Sequence, residues 1–439
     1  MARLVELRRN SGSGARGALK FFLTSLTCFW ALSSIGAAEI KGPFETPPTL
    51  RASQILPPQL LKGPYHTVNE VVQNDGYLNR YVIESKFGEF EGVMTAKLRK
   101  RIDEINAMVV MEKIKGTEVF KDSVIEAGGD VVHGLKNLVT SPVDTVSGAV
   151  SGIGAIFNRA GEVLFRSKKS KYEDSRFEAL IGFSKTKREY AHDFGIDAYS
   201  TNQVLQDRLD EIAWAGYAGG MSVAGAMSMV GGVAGIITSA SGISRVLNDV
   251  VAQTPPPDLR QRNRKSLREM GVDKDIAALY VDNDIFTPRQ QTAFVMALER
   301  LKGVKNKQAF VRFGILTKNQ DIAFFRQRMA EMFAAYHNKV AKIDRFQPID
   351  DDSPVKGIDI AVTQTGKAVM VVPLDYLVWT KLVAHVFAEI DETASAIPGV
   401  KGKEFWITGT LTPLANQQIQ KFGWKVFDKT EKRLDLPRW

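Results

Sequence analysis

From Ile212 to Ser244 the chain runs IAWAGYAGGMSVAGAMSMVGGVAGIITSASGIS without a charged residue. A helix needs roughly 20 residues to cross a bilayer, and this run is longer. Its bulk, however, is Gly, Ala and Ser, with neither Leu nor Phe. Each glycine costs a helix about 1 kcal/mol relative to alanine, so the eight glycines here call for an offset, either a close helix contact or a lipid surrounding. Steps of four from Gly216 reach Gly220, Ala224, Ser228 and Gly232, and Gly235 belongs to a neighbouring row from Gly231. Small side chains at this spacing form a groove that admits another backbone. Gly148 and Gly152 repeat the spacing in an earlier helical stretch. The pattern therefore predicts one of three things: these helices pack on each other, the run enters a membrane, or it joins two copies of the chain.

The beginning of the chain points to export. Arg3, Arg8, Arg9, Arg16 and Lys20 precede the apolar FFLTSLTCFWALSSI, and Gly36-Ala37-Ala38 supplies small residues for cleavage. This is the pattern of a Sec-type signal over residues 1–38, and it predicts a periplasmic or cell-envelope location, or release outside the cell. Cys28 is the only cysteine and lies inside that signal, so the remaining chain has no disulfide, thiolate-zinc site or thiol nucleophile. The net charge of +9 falls to +5 without the signal's five basic and one acidic residues. No nucleic-acid-binding motif accompanies it, and no nucleic acid is expected as a partner.

Prolines at 43, 47, 48, 57, 58 and 64 mark residues 39–75 as an extended spacer, because proline removes a backbone donor and fixes φ. Residues 76–255 read as a β-hairpin, Tyr81 to Val93, followed by a helical domain. In that domain Thr95 caps a charged helix and the small-residue helices pack together. Residues 256–341 form a helical unit in which Thr287-Pro288 starts one helix. Residues 342–439 change period and give β-β-β-α-β-α-β, a small α/β domain with a mixed sheet. The fold class expected is thus mainly α, with Gly/Ala/Ser-rich packed helices, followed by that α/β domain.

The search for chemistry is nearly empty. The five histidines are scattered, so neither a metal site nor a cofactor is expected. Asp350, Asp351 and Asp352 lack the alternating oxygen ligands of a calcium loop. Open α/β sheets gather ligands at the carboxyl ends of their strands, which nominates Asp375 together with Thr408, Gly409, Thr410 and Thr412. The same residues also suit an ordinary turn with Thr412 as a helix cap.

These readings predict an exported cell-envelope protein that works by binding or assembly, associated with a membrane surface or lipid, a protein partner or a second copy of itself. Two other readings are a helical pore-former or toxin-like protein and a periplasmic hydrolase or ligand-binding enzyme centred on Asp375 and Thr408–Thr412.

Overall fold

The computed structural model describes residues 42–126, 173–230, 242–347 and 359–438. It corrects the mainly helical expectation at once, because the N-terminal region is built on strands. The segment expected as a spacer supplies β1 (Thr49–Arg51), the single-turn helices α1 (Ala52–Ile55) and α2 (Pro58–Leu61), β2 (His66–Val68) and β3 (Val71–Asn74). With β4 (Asn79–Ser85) and β5 (Gly88–Val93) these make a five-stranded antiparallel sheet curled into a half-barrel. The hairpin lies within this sheet: β5 pairs along one edge of β4, while β3 and β2 share its other edge. Proline does not prevent this arrangement. Pro58 opens α2 at the first position, where a missing amide costs nothing.

Helix α3 (Thr95–Lys115) buries Leu98, Ile102, Ile105 and Met108 against the sheet. The same core takes in α4 (Glu118–Glu126), α5 (Glu173–Asp193), α6 (Gln203–Gly219) and α7 (Val223–Met229). Between α6 and α7 the uncharged run breaks: Gly220 adopts φ 69°, and Ser222 caps α7 by accepting from Gly225 N at 3.1 Å. Gly216, Gly220, Ala224 and Ser228 therefore do not line a single helix. Gly148, Gly152, Gly232 and Gly235 lie outside the described residues.

The small residues nevertheless serve close packing, against helices other than the one the pattern suggested. A Cβ on Gly216 would overlap the hydroxyl of Tyr190, which donates to Met221 O, and one on Gly219 would overlap the backbone carbonyl of Ser123 in α4. A backbone atom cannot yield without separating the helices. Gly219→Ala is accordingly expected to cost about 1–3 kcal/mol despite the better helix propensity of alanine. Gly220 has open space around its Cβ position, so Gly220→Ala should cost only the left-handed penalty of about 1–2 kcal/mol. Urea midpoints of the two variants check this ordering.

Most of the rest of the chain shares one apolar core, while Leu247 and Val251 of the next helix form a small separate cluster with Leu259 and Ala293. Helices α8 (Gly242–Gln253), α9 (Pro256–Glu269), α10 (Lys274–Val281), α11 (Pro288–Glu299), α12 (Lys307–Ile315) and α13 (Gln320–Lys339) precede a mixed sheet. That sheet comprises β6 (Ile343–Gln347), β7 (Ile360–Thr363), β8 (Lys367–Val372), β10 (Gly402–Ile407) and β12 (Trp424–Phe427), in the order β12-β10-β8-β7-β6. Strands β8, β10 and β12 are parallel, and β7 is antiparallel to both its neighbours. Buried side chains of α10 to α13 and of the sheet form a single cluster, so the core does not break near residue 341. On one face α14 (Lys381–Ala396) sets Phe387 edge-on to Phe405 and Trp424. On the other, Tyr336 of α13 meets Trp406 and donates to Glu404 at 2.9 Å. A second, two-stranded sheet joins β9 (Tyr376–Leu377) to β11 (Thr410–Leu411), just before α15 (Pro413–Lys421), and α16 (Glu431–Leu434) ends the fold.

Candidate functional site

The structure brings the nominated C-terminal residues together at the carboxyl ends of β8 and β10. It also gives them partners from the far end of the chain. Asp375 Oδ2 accepts from Asn79 N and Oδ1 from Thr95 N, each at 3.0 Å, while its own amide donates to Tyr77 O at 3.1 Å. Thr95, which the sequence nominates as a cap, instead opens α3, and Asp375 caps that helix from 280 residues away. Burial pushes the Asp375 carboxyl up to about 6, against the pull of the two amides. Thr410 N donates to Asp375 O at 3.0 Å. Gly409 is glycine for a steric reason: a Cβ there would overlap that same carbonyl. Thr408 Oγ1 donates to Leu374 O at 2.8 Å. Thr412 Oγ1 donates to Glu45 at 2.6 Å and accepts from Ala415 N at 3.0 Å, and the same Glu45 oxygen takes Trp379 N at 2.9 Å. These loops therefore clasp the N-terminal strap and the first sheet. Both Asp375 oxygens are occupied by backbone amides, an arrangement suited to holding two sheets together.

Directly behind this clasp lies a cavity of about 120 Å³. Met370, Val372 and Phe405 of the sheet, Val383, Val386 and Phe387 of α14, and Ile322, Phe325 and Met329 of α13 line it. Tyr77 and Leu78, held by Asp375, close the end. The amphipathic pattern of α13 and α14 explains their part, since each turns apolar residues toward the sheet. The one charged side chain in the lining is Asp321. Its carboxylate stands 3.9 Å from Lys97 Nζ, which itself lies 5.4 Å above the Phe324 ring. Lys97 is 5% exposed, and burial lowers its ammonium to about 8, helped by the charges of Arg101 and Lys100.

Lys97 and the cavity walls were not nominated by sequence. Lys97 stands in the charged run TAKLRKRIDE, which reads as a solvated helix face. The walls come from strands and helices separated by up to some 300 positions, and no local pattern joins them. Such a pocket can enclose an apolar group: cavities of about 150 Å³ lined by aliphatic and aromatic side chains stay dry and admit benzene or xenon.

Among the described residues no group of His, Asp and Glu is placed to hold a metal ion. Asp350, Asp351 and Asp352 lie outside them. Among the described residues, likewise, no helix is long and apolar enough to cross a membrane. No family model, curated protein or solved structure matches the chain.

Proposed function

We propose that this chain is an exported cell-envelope protein that works by binding, and that it holds the apolar portion of its ligand in the cavity between α13, α14 and the carboxyl ends of β8 and β10. The observation that carries this reading is the cavity itself, with walls almost wholly apolar and a single carboxylate at the rim beside a buried lysine. Apolar pockets with few polar groups are the usual form of a small-molecule site. Export rests on the basic and apolar pattern of residues 1–38. The ligand class that suits both is an envelope amphiphile. A hydrolase centred on Asp375 draws no support from the geometry, because that carboxylate is committed to the Asn79 and Thr95 amides.

Calorimetric titration with 1-hexanol tests the reading. Wild type is expected to bind with a negative heat-capacity change, the mark of apolar burial. Val386→Phe, which adds a ring at a partly buried wall position, is expected to weaken binding by at least about tenfold while leaving the fold intact, since a filled cavity no longer gains from burying the alkyl chain. Equal binding by wild type and variant would remove the cavity from the account.

A further inference from the structure

A second cavity, of about 370 Å³, opens among α8, α11 and α13, with Pro437 at its edge. It shares no residue with the first. Leu247, Ala293, Met296 and Ala297 give it an apolar side. Its polar groups fall into two sets that differ in what they lack. The acceptors are satisfied: Glu331 takes Arg328 Nη1 at 2.6 Å on Oε2 and Gln327 Nε2 at 2.9 Å on Oε1, and Glu299 takes Arg262 Nη2 at 3.3 and 3.4 Å. The donors are not. Ser244 is nine-tenths buried and, among the described residues, its Oγ has no hydrogen-bond partner. Among the described residues, the half-buried Arg300 guanidinium makes neither a hydrogen bond nor an ion pair, and Lys302 beside it is exposed and equally without one.

Burial also lowers the pKa of Arg300, against the opposing charges of Glu331 and Asp435. Buried polar groups are seldom left unpaired, because a donor or acceptor taken from water without a partner loses its hydrogen bond outright. Ser244 moreover stands in the first turn of α8, at the positive end of the helix dipole, where anions are favoured. What this cavity lacks is acceptors, beside an apolar wall.

We propose that this second cavity binds the oxyanion of an acidic amphiphile, a phosphate or carboxylate carried on a short apolar body, with Arg300 and Ser244 as its donors and Leu247 and Met296 against its apolar part. The guanidinium can meet two oxygens at once, as arginine does with phosphates and carboxylates. This site is independent of the first cavity, and the test keeps the two apart by using the Val386→Phe protein.

Octyl phosphate, octanoate, inorganic phosphate and 1-octanol are titrated calorimetrically into the Val386→Phe protein with and without Arg300→Gln, urea midpoints serving to establish that both are folded. Octyl phosphate or octanoate is expected to bind at least about tenfold more tightly than inorganic phosphate or 1-octanol, and Arg300→Gln to weaken that binding by at least about tenfold. Ser244→Ala should weaken it by a smaller factor. Inorganic phosphate binding as tightly as octyl phosphate would show a free-anion site and overturn the amphiphile. Acidic amphiphiles binding equally with and without Arg300→Gln, or failing to bind the folded protein, would overturn the site.

Discussion

Glu104→Ala is expected to destabilise the protein by about 3–5 kcal/mol, the cost of breaking a buried charged network from one side. Glu104 is fully buried on α3. It accepts from Ser200 Oγ at 2.5 Å, Asn202 Nδ2 at 3.1 Å and Arg101 Nη1 at 2.6 Å. Asn202 in turn caps α6 through Leu205 N at 3.3 Å, and one turn earlier on α3 Lys100 pairs with buried Asp197 at 2.7 Å. Without the carboxylate, Arg101 loses its close partner and the 195–202 loop its anchor. Glu104→Gln isolates the charge. Burial on its own would raise the Glu104 pKa, but the Arg101 and Lys100 charges and the Ser200 hydroxyl outweigh it and hold the carboxyl below its ordinary value. A depressed folded pKa contributes stability that is present above the unfolded value of about 4.3 and lost as pH falls through the folded value. The gap between wild type and Glu104→Gln, measured by urea unfolding from pH 7 downward, should therefore narrow below about pH 4.

Asp375→Ala is expected to cost about 3 kcal/mol at pH 7, since two backbone amides lose a charged acceptor, and its pH dependence should run the other way. The Asp375 carboxyl is raised to about 6. Between the unfolded value of about 3.9 and that folded value the native state holds more protons than the unfolded chain, so this group adds stability as pH falls across the window. The wild-type advantage over Asp375→Ala should grow from pH 7 to pH 4.5, whereas the advantage over Glu104→Gln does not. Two carboxylates in one protein thus give opposite slopes, and urea midpoints at pH 4.5 and 7 separate them. A wild-type advantage over Asp375→Ala that shrinks at pH 4.5 would mean that the two amides, rather than burial, set the ionisation of Asp375. The effect reaches the binding reading as well, because Asp375 holds Asn79 and so the Tyr77–Leu78 end of the first cavity.

Parts of the fold were readable where the cause is local. Thr287 and Pro288 begin α11, and Gln290 completes a capping box there. Glycines at φ 81° and 82°, Gly366 and Gly423, mark the β7–β8 turn and the end of α15. Apart from its β4–β5 hairpin the N-terminal sheet was not readable, because β1, β2 and β3 have only three or four residues each, too few to show alternation, and prolines fall between β1 and β2. Of the row of small residues, Gly216 does stand in close contact, whereas Gly220 has open space beside it and the close approach at Gly219 falls outside the row. The spacing could not identify the partners, Tyr190 and Ser123, nor the break at Gly220. The nominated loop residues Asp375 and Thr408–Thr412 do converge in space. Their partners Glu45, Asn79 and Thr95 lie roughly 280 to 370 positions away, beyond any pattern of spacing, and the cavity behind them is equally non-local.

The reading of this protein as a binder rests on the first cavity being dry and open to apolar guests. Crystals equilibrated under xenon pressure address that directly, since xenon enters apolar cavities and avoids hydrated ones. A single xenon site between Met329, Met370 and Val386, absent in Val386→Phe, is expected. Ordered water in that space, or xenon unchanged by the substitution, would contradict the proposal.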